Sequence, residues 1–374
     1  MIEMKKLTLI TIAAVAAITS CTRQIESPDV NSEVMFQVTR YNAVTKADTE
    51  DYKDNHASVP FGAFAWYKGV SASDNTVFMT NQPVAYNSGK DAWAPQGSTY
   101  YWPKSGSIDF ICYSPYTADG KDAPLPTITE TGISYPAWNV GEHPDVDIMY
   151  ADKVTGVTNN SNTYYYNGVP VLFHHALAKV SFNIQQSYMS VTADTGDTTS
   201  WEITVNDIIL TGILTSGSLN LTLNPDGTWN KPAIWDSTGG TTEDLDLLDG
   251  TITLDGTNQD LLTDFMILPQ NLNEGQKVVI TVTIKTYRDT GNGPELVLTE
   301  TNVPIEALLS GGSLASIGVN QNVTYTFNIT PSLGTGTGTD ADGDGIEDMQ
   351  PTVVYFDPAV SDWENITVNA GINI

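Results

Sequence analysis

Short runs of alternating apolar and polar residues recur between turn residues from Phe61 almost to the C-terminus, and this pattern restricts the fold more than anything else in the chain. FGAFAWY (61–67), TVFMTNQPVAYN (76–87), STYYWP (98–103) and SIDFICYSPY (107–116) are aromatic-rich and bounded by Gly, Pro, Asn and Ser. WEITVNDIILTG (201–212), GSLNLTLN (217–224), TITLD (251–255), DFMILPQ (264–270), KVVITVTIKTY (277–287), ELVLTETNVPI (295–305) and NVTYTFNI (322–329) continue the series. A period of two punctuated by turn residues marks strands, and many short strands predict an all-β chain of sandwiches. Only 305–317 suggests a short helical turn, which Gly311 and Gly312 weaken.

The first residues set the compartment. Lys5 and Lys6 precede an apolar run, Leu7 to Ile18, that ends in ITSC at 18–21. The run is too short to span a bilayer and fits a signal-peptide core. A branched residue, two small ones and then cysteine form a lipobox, so Cys21 is the expected lipidation site and mature N-terminus. The other cysteine, Cys112, then has no partner, which excludes an intrachain disulfide framework. It sits in an apolar strand and reads as a buried, inert thiol.

The chain has 374 residues and carries 44 acidic against 16 basic side chains, a net charge of −28. That balance argues against nucleic acid, whose phosphates need basic patches. The acids are scattered and suit a soluble, self-repelling surface.

Two terminal segments share one pattern. After a polar tether, EVMFQVTR (33–40) places Val34, Phe36 and Val38 on one face. At the other end, NITVNAGINI (365–374) places Ile366, Val368, Ala370, Ile372 and Ile374 on one face. So clean an apolar stripe at an exposed terminus calls for a pairing partner.

Taken in order, the lipobox, AFAWY, YYWP, ICYSPY, FHHALAKVSFNI, FMILPQ, YTFNI and the late VYFDPAVSDWE resemble the fimbrillin (Mfa-like, type V pilin) lipoproteins of Bacteroidales. The resemblance covers essentially the whole mature chain. It implies two transthyretin-like β-sandwich domains in tandem after a lipoprotein signal peptide. It also implies export to the outer membrane, then proteolysis after a basic residue that removes the first strand and opens a groove for a neighbour's strand. On these residues Arg40 or Lys46 is the cleaved position, Val34, Phe36 and Val38 the removable strand, and Ile366 to Ile374 the donor. The expected boundaries are 1–20 for the signal peptide, 21–46 for the tether and removable strand, 47–171 for the first sandwich and 172–374 for the second. The second sandwich includes an acidic loop at 334–350 and the donor at 363–374. Strand addition restores ladder bonds and buries alternate side chains, here about 5–12 kcal/mol gross from burial alone. Head-to-tail contacts that do not close build a filament. The implied partners are copies of the chain or related pilins, membrane lipid through Cys21 before trimming, and export and processing proteases. The implied place is the outer membrane and then the fimbria.

Other residues leave alternatives open. Asp340, Asp342, Asp344 and Asp348, with Gly345, follow the D-x-D-x-D-G spacing of calcium loops. The twelfth-position Glu is replaced by Pro351, with Glu347 a substitute, and the other reading is a solvated, flexible acidic linker. No cofactor is required by the family, so Ca²⁺ would be a local addition. His143, Asp145 and Asp147 in GEHPDVDIMY could face one metal or form a loop before a strand. His174 and His175 are adjacent on a strand and point to opposite faces, one toward the core and one to the surface. No nucleophile elbow, HExxH, P-loop or Rossmann fingerprint is present, so a structural role is expected over an enzymatic one. Trp66, Tyr67, Tyr100, Tyr101 and Trp102 define the competing reading, a monomeric, lipid-anchored glycan binder, unless they serve as core.

Overall fold

The computed structural model describes residues 33–38, 58–90, 92–116, 125–144, 146–158, 168–311, 314–330, 357–359 and 364–373. Their regular structure is almost wholly strand, arranged in five sheets. The first sheet has nine strands. Its path runs β10 (Val169–Val171), β1 (Phe36–Val38), β4 (Ala92–Pro95), β3 (Thr76–Asn87), β2 (Phe61–Lys68), β5 (Ser107–Ser114), β8 (Met149–Ala151) and β11 (Phe173–His175), with β9 (Val154–Val157) pairing β5. A four-stranded sheet runs β16 (Trp229–Asn230), β15 (Ser216–Leu223), β7 (Gly132–Asn139) and β6 (Thr127–Thr129).

The second half contributes three more. One runs β19 (Gln259–Ile267), β12 (Ala178–Gln186), β24 (Gln321–Thr330), β26 (Glu364–Asn373) and β25 (Asp357–Ala359). Another runs β13 (Ser190–Thr192), β14 (Thr198–Leu214), β21 (Lys277–Asp289) and β22 (Glu295–Leu308), with β17 (Thr242–Asp246) and β18 (Ile252–Thr253) also on β14. A short ladder joins β20 (Gln270–Asn271) to β23 (Ser316–Ile317).

Alternation decides which faces are buried. In β24, Val323, Tyr325, Phe327 and Ile329 are buried and face β14, β21 and β22 across the C-terminal core. Along β14 the buried set is Trp201, Ile203 and Val205, then shifts parity to Ile208 and Leu210. A register shift between Val205 and Asp207 against β21 accounts for it, because one extra residue in a bulge turns the following side chains over. β5 does not alternate, since both its faces are covered. Phe110 and Cys112 enter one core, while Ile111 enters another. The first of these cores is drawn almost entirely from the nine-stranded sheet, which therefore curls around its own apolar face.

One pairing crosses residue 171, where the sequence analysis places the start of the second sandwich. β15 and β16 lie beyond that boundary, yet β15 pairs with β7 from the first half. The cause is a strand that changes sheets: β14 ends at Leu214, Thr215 follows, and β15 begins at Ser216. The Gln270 side chain takes the place of a strand partner there, accepting from Leu214 N at 2.9 Å, while Val140 N donates to Thr215 O at 2.9 Å. Trp229 and Trp235 then tie this segment back through indole N–H bonds to Ala151 O and Ala176 O. Within 305–317 the strand comes first and a turn follows it, where Gly311 N donates to Leu308 O at 3.0 Å and Leu314 N to Ser310 O at 2.7 Å. β22 continues through Leu308 because Ile305 to Leu308 pair with Ile280 to Lys277 of β21.

Candidate functional site

β1 is an internal strand of the nine-stranded sheet. It lies between β10, which it meets in parallel with Phe36 opposite Val169, and β4, where Phe36 is opposite Trp93. Val34 N donates to Tyr100 O at 2.8 Å, and Val169 N donates to Met35 O at 2.7 Å. Glu33 adds an ion pair with Lys90. Gly168, at φ +89°, lets β10 come this close, since a Cβ there would sit 2.8 Å from Met35 O. Val34 and Phe36 are fully buried. The Phe36 ring meets Phe61 and Phe110 edge-on, at centroid distances of 5.7 and 5.4 Å. The expected burial of Val34 and Phe36 is therefore met. Val38 is placed by its backbone register opposite Val171.

β1 ends at Val38 and the next strand, β2, begins at Phe61. A cut between them would leave β1 held by its ladder and its apolar anchors alone. Arg40 and Lys46 fall in that interval; they and Cys21, which precedes β1, lie outside the described residues.

The C-terminal stripe occupies β26. It pairs in parallel with β24 of its own chain over ten positions, setting Ile366, Val368, Ala370 and Ile372 opposite Val323, Tyr325, Phe327 and Ile329. Those four partners are the core-facing positions of β24. Ile374 lies outside the described residues. Beyond β26 lies only β25, which pairs with β26 and with no other described strand. The β25–β26 unit is therefore appended to the edge of β24, and it can leave without unthreading any other described element.

The remaining candidates do not gather into a chemical centre. Among the described residues no group of three or more His, Cys, Asp or Glu is placed to hold a metal. Asp145, Asp340, Asp342, Asp344 and Asp348 lie outside the described residues. His143 packs on Trp138 at 5.1 Å, while Asp147 pairs with His175 at 2.6 Å. His174 pairs with Asp152 at 2.9 Å. Both β11 histidines are half-buried and both tie that strand to β8 or its flanks, rather than one entering the core and the other solvent. Sequence could not supply the reason, because the pairing aspartates lie more than twenty residues upstream. Burial raises the Asp152 carboxyl, but hydrogen bonding and charge from His174 and Lys231 outweigh it and hold the group below its ordinary range.

Of the five aromatics considered for sugar stacking, Trp66 and Trp102 are buried core residues and Tyr67 and Tyr100 are half-buried. Only Tyr101 is exposed, so these five do not form a stacking platform.

Cys112 is buried in the same core as Phe36, and burial pushes its thiol well above the ordinary range. A thiol reagent is expected to leave it unmodified in the native chain and to label it fully after denaturation. Rapid native labelling would contradict a closed first sandwich.

Comparison with known proteins follows the same lines. The sequence profile of the fimbrillin-like family matches residues 45–342. A fimbrial protein from Bacteroides vulgatus has a similar fold, with a TM-score of 0.52 at 17% identity, covering 80% of this chain and 95% of that one. A candidate cell adhesion protein from Bacteroides uniformis aligns over 72% of this chain and 86% of its own at 16% identity, with a TM-score of 0.41. No curated protein matches the chain significantly by sequence.

Proposed function

The chain belongs to the fimbrillin-like family, and from that premise we propose that it is a structural subunit of a cell-surface fimbria, polymerised by exchange of strands between copies. In this reading the chain is exported as a lipoprotein through Cys21, reaches the outer surface, and is cut after Arg40 or Lys46. β1 then leaves, and residues 364–374 of a neighbouring copy take its place. The two β-sandwiches correspond to the tandem transthyretin-like domains of such pilins.

The observation that carries the reading is the position of β1. It is a wall strand with ladder partners on both sides and buried anchors at Val34 and Phe36, and it precedes a connection that holds Arg40 and Lys46. Loss of such a strand exposes an apolar slot and two rows of unpaired backbone groups. A strand with the same alternation satisfies both, and the chain ends in one. That β26 rests on its own β24 is compatible with donation, because the appended unit leaves the other described strands of its sheet paired. Assembly then exchanges one β26 ladder for another.

N-terminal sequencing of the protein isolated from the cell surface tests this. A mature chain beginning at Tyr41 or Ala47 is expected. A chain that keeps Cys21, lipidated, as its first residue in assembled material would overturn the proposal.

A further inference from the structure

The cavity that β1 leaves is unequal along its length, and this gives it the means to fix the register of whatever enters. Its widest part is the Phe36 socket. The two rings that wall it are themselves wedged by others: Phe61 by Trp93 at 5.5 Å and Phe173 at 5.4 Å, and Phe110 by Trp102 at 6.2 Å. Side chains packed on several sides relax little, so the socket does not collapse around a small occupant and an unfilled volume persists as a cavity. On the N-terminal side of Phe36 the groove takes Val34, and the register carries the same parity to Val38. An incoming strand must therefore offer a bulky apolar residue with apolar residues two positions to either side.

Resting on the strand-exchange reading above, the occupant is the terminal segment of a second copy, whose alternating set is Ile366, Val368, Ala370, Ile372 and Ile374. Centring Ile366 on the socket would bring Glu364 into the groove as an unpaired buried carboxylate. Centring Ala370 leaves the socket nearly empty. Val368 and Ile372 each carry apolar residues two positions to either side, and Ile372 has the larger side chain. We propose that the Phe36 socket is the specificity-determining subsite of the groove and that it takes Ile372 of the neighbouring copy, with Ala370 acting as the residue that rules out the adjacent register.

The test uses the full chain with a site-specific protease sequence placed at 41–47, cut and held at nanomolar concentration, where subunits do not meet. Fluorescein-labelled peptides of residues 362–374 are titrated by anisotropy. The Ile372→Ala peptide is expected to lose on the order of 30- to 1,000-fold in affinity, more than Val368→Ala or Ile366→Ala. The Ile372→Phe peptide is expected to bind at least as tightly as the natural sequence. A largest loss at Val368, or equal losses at all three positions, overturns the register while leaving strand exchange in place. Failure of the natural peptide to bind the cut chain overturns the exchange reading itself.

Discussion

Deletion of residues 364–374 is expected to abolish filament ladders on non-boiled gels while leaving a folded, all-β monomer. The polymer is held by a donor strand in this account, so its loss leaves no subunit contact of comparable size. The monomer survives because β26 and β25 are appended to one edge: β12 and the opposing sheet still pack against Val323, Tyr325, Phe327 and Ile329. The newly bare edge of β24 costs some stability and invites association, so the point variant Val368→Asp is the companion experiment. It keeps the chain length but puts a charge on the apolar face, and it should be assembly-defective too. Filaments of normal abundance from either variant, with circular dichroism showing intact strand content, would remove the C-terminal strand from the mechanism.

Phe36→Ala is expected to destabilise the uncut chain by about 3–5 kcal/mol, because a buried ring is lost from a cluster that cannot close over the gap. For a domain of this size that is a fall of roughly 10 °C in Tm. Its value lies in what happens next. If β1 departs on assembly, Phe36 is not part of the filament, and filaments formed from Phe36→Ala subunits should melt like those of the natural sequence. Scanning calorimetry of both states decides it: a lower Tm in the uncut monomer with no change in the filament is the expected pair. An equal drop in both would show that Phe36 still occupies its socket after assembly.

The strand elements were legible in the sequence where one face is buried and one is wet. KVVITVTIKTY and NVTYTFNI read correctly because their period of two is undisturbed, and they became β21 and β24. Val34 and Phe36 were legible for the same reason. Three features escaped. The parity change in β14 needs the bulge at Val205–Asp207, which only the partner strand reveals. The passage of β14 into β15, and so into another sheet, was not legible because an alternating pattern tells which face is apolar and not which strand lies alongside. The extension of β22 through Ile305–Leu308 was hidden by a segment that read as a short helical turn, where long-range pairing with β21 prevails over local preference.

The functional segments followed the same division. Both terminal stripes fall on strands, and of the first Val34 and Phe36 are buried. What no pattern could give was the neighbour: β26 lies on β24 of its own chain, a pairing across more than forty residues of sequence. The aromatic candidates show the limit from another side. YYW at 100–102 is one short run, yet Tyr100 is half-buried, Tyr101 exposed and Trp102 buried. Composition alone does not tell a core aromatic from a surface one.

The most direct measurement is a high-resolution cryo-electron microscopy map of the native filament, read at one place, the gap between β10 and β4. The account predicts density there for residues near 366–374 of the adjacent subunit, with nothing of Val34 to Val38 remaining. Density for Phe36 against Phe61 and Phe110, with residues 364–373 of every subunit still paired to their own β24, would contradict it.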